Sequence, residues 1–128
     1  MNEVAHLLGL PEGRTLEFKR DLSSLRPILR TLVAFANTAG GTLIIGRDDD
    51  GRLRGVASIQ DEEERLANAI SDSIQPVLMP DIEVVAVGGK DLLVIRVARW
   101  PGPFYIKALG SEEGVYVRLG STNRKAGE

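Results

Sequence analysis

Residues 34–51, AFANTAGGTLIIGRDDDG, are the most informative part of this chain. The stretch predicts the end of a helix, a turn at Gly40 and Gly41, a buried strand at 42–46 and a carboxylate-rich exit at 48–50. A rigid sheet holds the side chains at its strand ends, while the following loop leaves them open to a ligand. The three aspartates at 48–50 are therefore a candidate functional site.

The length and composition are those of one globular domain, which we predict to span residues 1–128. The apolar fraction of 43% and the charged fraction of 27% are ordinary for a soluble protein. No run approaches the roughly eighteen apolar residues that cross a bilayer, and the N-terminus lacks the basic region of a signal peptide. We therefore expect a cytoplasmic protein with no membrane partner.

Cysteine and histidine usage excludes two kinds of site. The chain has no cysteine and one histidine, so we expect neither a disulfide framework nor a typical zinc site. The net charge of -2 and the isoelectric point near 5.5 count against a protein that coats nucleic acid by bulk electrostatics. Any nucleic-acid binding must come from a local basic patch.

Two segments carry the apolar spacing of three and four residues that is typical of amphipathic helices. The clearer one is 24–38, which the two glycines end, one of them in a left-handed conformation. The second is predicted at 62–73, with Asp61 and Glu64 as a capping box. A short helix is also expected before Gly9.

The remaining segments predict strands, because they alternate polar and apolar residues or run apolar between turn residues. Strands are predicted at 15–19, 42–46, 53–56, 82–87, 91–98, 104–108 and 114–119. The second is expected to pair with the third, the fourth with the fifth and the sixth with the seventh, before a polar basic tail from about residue 120. This order predicts an α/β (α+β) fold in which two main helices cover a mixed sheet.

Carboxylates at Glu12, Glu17 and Asp48 form the first candidate site. Glu17 is expected on the polar face of strand 15–19. Two or three carboxylates at one place can hold Mg²⁺ or Mn²⁺, which prefer hard oxygen ligands and serve phosphodiester cleavage. The alternative is that Glu17 is a solvated strand residue and that 49–51 simply make a turn.

Basic side chains provide the second candidate site. Arg118 shares a strand face with Tyr116, so the two can pair a phosphate contact with base stacking. Lys19 occupies the polar face of another strand and Arg124 follows in the adjoining turn, so we expect Lys19, Arg118 and Arg124 to form one positive patch. The alternative is that such residues are only solubility charges. The full set of candidates for nucleic-acid binding is Lys19, Arg20, Arg47, Tyr116, Arg118, Arg124 and Lys125.

Four ordered motifs resemble the Schlafen-type AlbA-2 domain. They are LEFK at 16–19, AFANTAGGTLIIG at 34–46, DDDG at 48–51 and YVRLGSTNR at 116–124. The resemblance runs over residues 12–126, nearly the whole chain. It implies an α/β nucleic-acid-binding fold, which in bacteria and archaea commonly stands at the N-terminus of transcriptional regulators.

The resemblance also bears on catalysis. Some Schlafen proteins, in which the domain is duplicated, cleave tRNA and rRNA with two glutamates and an aspartate. Glu12 and Glu17 match those glutamates and Asp48 most nearly matches the aspartate, which implies catalytic and metal-binding roles for the three. The chain departs from those nucleases because it lacks their zinc site, has Arg47 before its aspartates and supplies one lobe instead of two. A single copy would have to dimerise to make an equivalent groove.

The sequence therefore predicts a DNA- or RNA-binding domain of a regulator-type protein that acts as a homodimer. One alternative is a metal-dependent endoribonuclease that uses Glu12, Glu17 and Asp48 with Mg²⁺ or Mn²⁺ as its cofactor. The other is a protein interaction or dimerisation module that keeps the fold without the binding.

Overall fold

A four-stranded mixed sheet organises the chain in the computed structural model, which describes residues 3–127. The helices and strands, in chain order, are α1 (Glu3–Leu7), β1 (Leu16–Lys19), α2 (Leu25–Asn37), β2 (Gly41–Ile45), α3 (Ile59–Ser73), β3 (Ile74–Gln75), β4 (Asp81–Val87), β5 (Lys90–Val97), β6 (Tyr105–Ile106), α4 (Gly110–Glu113), β7 (Tyr116–Leu119) and β8 (Thr122–Lys125). A 3-10 turn at Lys107–Leu109 connects β6 to α4.

The sheet has the strand order β1-β2-β5-β4. β1 and β2 are parallel, which requires a crossover connection, and α2 supplies it. The other two pairs are antiparallel, and β4 and β5 form the predicted hairpin across Gly88 and Gly89. The mixed sheet with its helices confirms the predicted α/β (α+β) class.

The larger core lies between one face of the sheet and the helices α2 and α3. Ile28, Leu32 and Phe35 of α2 are fully buried in it, together with inward side chains of β2 and β5. α3 adds Leu66 and Ile70 to the same cluster. Removing this apolar area from water stabilises the fold by about 25 cal/mol per Å², so the two predicted main helices are held by packing.

A smaller core covers the opposite face of the sheet. Leu16 and Phe18 of β1 lie in it with Ile44 of β2, and Val4 of α1 completes the cluster. Because successive side chains of a strand point to opposite faces, Glu17 faces the larger core. The predicted alternation is confirmed, but the face expected to be polar and open lies under α2.

Arg96 of β5 fixes α1 and the edge strand β4. Its Nη1 lies 2.8 Å from Glu83 Oε1, and its Nη2 lies 2.9 Å from Glu3 Oε1. The hydrogen bonds to Glu83 and Glu3 raise the pKa of Arg96 above its ordinary value. Asp81 Oδ2 also lies 3.7 Å from Nη1, so the cation stays charged among three carboxylates.

The loop after β2 differs from its prediction. Within the described chain, residues 53–56 form no strand and pair only through an isolated bridge between Arg47 and Leu53. The N–H groups of Arg54 and Gly55 both donate to Gly46 O, at 2.8 and 2.9 Å. One carbonyl thus receives both bonds, so the regular ladder that a strand needs does not continue.

α3 begins earlier than predicted, at Ile59, with Ser58 as its N-cap residue. Asp61 and Glu64 lie inside the helix, so they do not form the predicted capping box at its start. Ile59 is buried in the larger core. This burial favours a longer helix than the polar residues alone indicate.

The predicted pairing of 104–108 with 114–119 is wrong. β6 pairs with β3, and β7 pairs with β8. Two residues, Gly120 and Ser121, connect β7 to β8, a length typical of tight hairpins. The tail expected from about residue 120 therefore contains a strand, which its uniformly polar sequence concealed.

Gly40 determines how closely α2 can approach the sheet. Its φ is +73°, the left-handed conformation predicted for one of the two glycines, and its N–H donates to Phe35 O at 2.7 Å. A Cβ at this position would lie 2.7 Å from Val97 O. The neighbouring strand therefore leaves no room for a side chain.

We predict that Gly40→Ala lowers the free energy of unfolding by about 2–4 kcal/mol, because it adds overpacking to the cost of a left-handed non-glycine residue. The matched control is Gly89→Ala, where φ is +77° but nothing lies within 4 Å of an added Cβ. That variant carries the conformational cost alone, about 1–2 kcal/mol. Urea denaturation measures both, and equal losses would show that the close approach at Gly40 has no energetic effect.

Candidate functional site

Arg118 of β7 lies inside the predicted site and is 4% exposed. Its Nη1 lies 2.6 Å from Glu17 Oε1 and also donates to Asn123 Oδ1 at 2.9 Å. Its Nε and Nη2 donate to Gly13 O at 3.2 and 2.9 Å, and Nη2 reaches Leu16 O at 3.4 Å. A guanidinium has five N–H donors. The protein supplies an acceptor for each of them.

A residue of α2, Thr31, connects Glu17 to Asn123 and so completes this network. Thr31 donates its hydroxyl to Glu17 Oε2 at 2.9 Å and accepts a hydrogen bond from Asn123 Nδ2 at 2.9 Å. Lys19 Nζ lies 3.2 Å from the same Glu17 oxygen. Arg118, Glu17, Thr31 and Asn123 thus form a closed ring, which we name the Arg118 ring. It joins β1, α2, β7 and β8.

The predicted positive patch of Lys19, Arg118 and Arg124 is wrong, because Arg118 belongs to the Arg118 ring. The Arg118 guanidinium faces α2 and is not open to a phosphate, and Glu17 is 6% exposed instead of solvated. Arg124 pairs with Val117, one position along from the Arg118–Asn123 pair, so it lies on the opposite face of the hairpin. Lys19, Arg118 and Arg124 therefore do not share one surface.

Tyr116 and Lys125 also face α2. Tyr116 is buried, and the Arg30 guanidinium carbon lies 6.0 Å from the centroid of its ring, within cation–π range. Lys125 lies opposite Tyr116 in the hairpin, and its Nζ is 3.2 Å from Glu113 Oε2. The predicted base stacking on Tyr116 is not available to this buried ring.

Glu12, Glu17 and Asp48 do not converge on one point. Glu12 is exposed and its Oε2 accepts the Phe18 N–H at 2.9 Å, while Asp48 Oδ1 lies 3.1 Å from Arg54 Nε. Within residues 3–127, no group of three or more His, Asp or Glu side chains is placed so that it can hold a metal ion. Glu12, Glu17 and Asp48 therefore do not form the predicted Mg²⁺ or Mn²⁺ site, because each of these carboxylates bonds to a different partner.

The cleft beside Lys19 and Arg20 carries more negative than positive charge. Those two cations line it together with four carboxylates, Asp21 and the aspartates at 48–50. Hydrogen bonds from Ser23 lower the pKa of Asp21, so this carboxylate stays ionised. The balance of charge in this cleft disfavours a phosphate backbone.

Arg47 braces the start of the aspartate loop. Its guanidinium carbon lies 4.1 Å from the centroid of the Phe18 ring. Its Nε is buried and has no hydrogen-bond partner among the described residues. The side chain is thus packed on the smaller core and does not stand free as a phosphate contact.

Asn37 and Thr38 fasten the later part of the chain to the end of α2. Asn37 Nδ2 donates to Phe104 O and Tyr116 O, both at 2.9 Å, and its Oδ1 accepts the Phe104 N–H at 2.8 Å. Thr38 Oγ1 accepts the Arg118 N–H at 2.8 Å. The two residues therefore position both the loop before β6 and the hairpin after it.

The roles of Thr31, Asn37, Thr38 and Asn123 were not predicted from the sequence. For Thr31 and Asn37 the available signal was a polar residue on the largely apolar helix α2, because a buried polar group needs a partner. Three of the four motifs meet around this network, since they supply Glu17, the Asn37–Thr38 pair, and Arg118 with Asn123.

A surface that the sequence did not predict lies on the outer side of the β7–β8 hairpin. We name it the loop–hairpin face and define it by Arg99, Trp100, Val117 and Arg124. Trp100 is 64% exposed, and it lines one cleft with Arg99 and Val117. Arg124 is exposed and pairs with Val117. None of the residues that line this cleft in the described chain is acidic.

We predict that Arg118→Met lowers the free energy of unfolding by about 3–5 kcal/mol, because it leaves the Glu17 carboxylate buried without its cation. The matched control is Arg124→Met, the same change at an exposed site in the same hairpin, expected within about 0.5 kcal/mol of wild type. Urea unfolding measures both variants. The double variant Glu17→Met/Arg118→Met should lose less than the sum of the single losses, because the two residues are coupled. Similar small effects in all variants would contradict the role given to the ring.

Comparisons with known proteins place the chain in a family and a fold. The model of the family described as Schlafen, AlbA_2 matches residues 12–127. The N-terminal domain of a protein from Nitrosomonas europaea, described as ATP-dependent DNA helicase RecG-related, is 30% identical with a TM-score of 0.73. The match covers 98% of this chain and 94% of that one.

A second similar structure comes from a longer protein of Corynebacterium diphtheriae. It has a TM-score of 0.71 and 22% identity, and the match covers 97% of this chain and 26% of that one. At this identity it supports the fold alone.

The described residues contain no helix that is both long and apolar enough to span a membrane. The family match covers nearly the whole chain, and it includes the residues of the Arg118 ring. The chain belongs to the Schlafen AlbA_2 family.

Proposed function

We propose that this domain binds single-stranded nucleic acid through the loop–hairpin face. The observation that carries the proposal is the exposed Trp100 ring beside Arg99, with Arg124 on the adjoining strand. Single-strand binding surfaces combine aromatic rings, on which bases stack, with cations that contact the phosphates. The family, and a similar domain from a protein described as DNA-helicase-related, support a nucleic-acid role.

The loop that carries Trp100 is fixed before any ligand binds. The Trp100 N–H donates to Ala36 O at 3.2 Å, and Asn37 bonds to the N–H and the carbonyl of Phe104. Pro101 and Pro103 restrict the backbone between these anchors. A preorganised backbone loses little freedom on binding, so more of the stacking energy of Trp100 contributes to affinity.

Charge also favours this face over the cleft beside Lys19 and Arg20. That cleft combines two cations with four carboxylates, whereas Arg99 and Arg124 are exposed on a face whose cleft has no acidic lining residue in the described chain. Phosphate contacts dominate the affinity of proteins for nucleic acid. A local basic surface can therefore bind despite the net charge of -2.

We infer that the domain serves a larger regulator-type or helicase-related protein. The Nitrosomonas europaea neighbour, which is 30% identical, is itself the N-terminal domain of a helicase-related protein. Both DNA and RNA offer the bases and phosphates that the loop–hairpin face would contact. We expect the domain to meet them in the cytoplasm as a homodimer. The endoribonuclease alternative is not favoured, because Glu12, Glu17 and Asp48 engage separate partners.

Trp100 is the single tryptophan of the chain, so its fluorescence reports the proposed contact directly. Titration with an oligothymidylate of about 12 nucleotides, within the range of known single-strand site sizes, should quench this fluorescence. Trp100→Ala should weaken binding of the labelled oligonucleotide by about 5- to 150-fold, the equivalent of losing one stacked base. Fluorescence anisotropy measures that loss. Unquenched Trp100 at saturating oligonucleotide would remove the proposed contact.

The arginines are tested by the dependence of affinity on salt. Arg99→Ala/Arg124→Ala should flatten the plot of log affinity against log salt by about 1.4, because single strands give about 0.7 per neutralised phosphate. The matched control is Arg20→Ala/Arg52→Ala, which removes two exposed arginines near the aspartate loop and should leave the slope unchanged. A slope change in the control pair alone would move the phosphate contacts away from the loop–hairpin face. Parallel titrations with RNA and duplex DNA identify the preferred nucleic acid.

A further inference from the structure

An apolar groove with a cationic rim lies on the inner side of the β7–β8 hairpin. We name it the α2–α4 groove, and its main lining residues are Arg26, Leu29, Arg30, Ile106, Leu109 and Tyr116. Its volume is about 440 Å³, within the range of about 300–1,000 Å³ that is typical of binding sites. Neither the Arg118 ring nor the loop–hairpin face includes these side chains.

The rim and floor define the chemistry of an occupant. Arg26 and Arg30 are one helical turn apart on α2, so they project on the same side of the helix. The Arg26 side chain is exposed and makes no hydrogen bond or ion pair with any of residues 3–127, while the Arg30 guanidinium lies over the Tyr116 ring. Leu109 is partly open at the floor. The groove therefore suits apolar side chains that stand next to a carboxylate.

The chain itself carries such a segment at 77–81, VLMPD. Val77 is 74% exposed and Met79 is 84% exposed. Asp81 is also exposed, and its Oδ2 makes only a long contact, 3.7 Å, with Arg96 Nη1 of the same chain. Of the six exposed large apolar residues in the described chain, three belong to this segment or to the groove: Val77, Met79 and Leu109. Exposed apolar side chains that gather on a surface mark an interaction site.

The segment and the groove lie near one another on each subunit. Ile106 of the groove pairs with Ile74, and Val77 follows three residues later, so the Cα atoms of Val77 and Ile106 are at most roughly 17 Å apart. A twofold interface brings the same patch of both subunits together, so each subunit both offers a segment and receives one. Because the segment and the groove lie close together on each subunit, both contacts can form in a single twofold interface.

We propose that the α2–α4 groove of one copy receives segment 77–81 of a second copy in a twofold dimer, with Asp81 beside Arg26. This assigns an interface to the expected homodimer and does not depend on nucleic-acid binding. Tyr116 and Val117 point to opposite faces of β7, so a partner in the groove leaves the loop–hairpin face open. A strand that contacts both domains of the dimer would gain affinity through effective concentration.

Sedimentation velocity tests the dimer directly. Between about 1 and 500 μM, the range in which weak dimers assemble, the sedimentation coefficient should rise from that of a monomer to that of a dimer. Val77→Glu/Met79→Glu and Arg26→Glu/Leu109→Glu should each raise the dissociation constant at least about tenfold, because each places two carboxylates in the contact. The control, Leu119→Glu, adds a carboxylate at an exposed leucine outside both surfaces and should dimerise like wild type. Circular dichroism verifies that each variant is folded.

Mixing the two interface variants tests whether groove and segment meet each other. The mixture uses the alanine versions, Val77→Ala/Met79→Ala with Arg26→Ala/Leu109→Ala, because the glutamate versions would set four carboxylates against one another in the second contact. Their heterodimer contains one intact groove facing one intact segment, so it should form more readily than a dimer of either alanine variant alone. Any of three results would overturn the interface. The wild-type protein could stay monomeric at about 500 μM, or the control variant could lose as much dimer affinity as the interface variants. In the third, the mixture of the two variants would form no more dimer than either variant alone. Quenching of Trp100 by oligothymidylate in the folded variants reports nucleic-acid binding separately, so failure of one proposal is distinguished from failure of the other.

Discussion

The buried ion pair between Arg118 and Glu17 holds the last hairpin against β1 and α2. It joins residues that are 101 positions apart, with 2.6 Å between Nη1 and Oε1. A buried carboxylate without a partner costs several kcal/mol, so β1 tolerates Glu17 only because β7 returns its cation. Thr31 and Asn123 complete the hydrogen bonding. The hairpin, and with it the position of Arg124 and Val117, follows from this constraint.

The local sequence pattern was sufficient to predict the helices and strands whose apolar residues are strongly periodic. α2, β2 and the β4–β5 hairpin lie close to their predicted positions, because their apolar spacing and glycine turns determine them locally. Alternation also placed Arg118 and Glu17 on strand faces, but it does not reveal which face another element covers. Their burial depends on a partner far along the chain, which a single sequence does not show. The exposure of Trp100 likewise depends on how distant segments pack around its loop.

The β7–β8 hairpin has a buried, structural arginine on one face and an exposed arginine on the other. The inner face holds Arg118 against α2, where all of its donors are used within the protein. The outer face leaves Arg124 exposed beside the cleft of Trp100. Because adjacent strand positions point in opposite directions, a short motif supplies both kinds of residue. One of its two arginines, Arg118, therefore stabilises the fold, while the other, Arg124, is exposed.

We propose that nucleic acid contacts the loop–hairpin face, and this contact can be observed residue by residue. The most direct test is a titration of isotope-labelled protein with oligothymidylate, followed by two-dimensional ¹H–¹⁵N NMR. We expect the resonances of the Trp100 indole N–H and of the backbone amides of Arg99, Val117 and Arg124 to shift first and furthest. Shifts confined to residues 19–21 and 48–50, with the Trp100 indole unchanged, would contradict it.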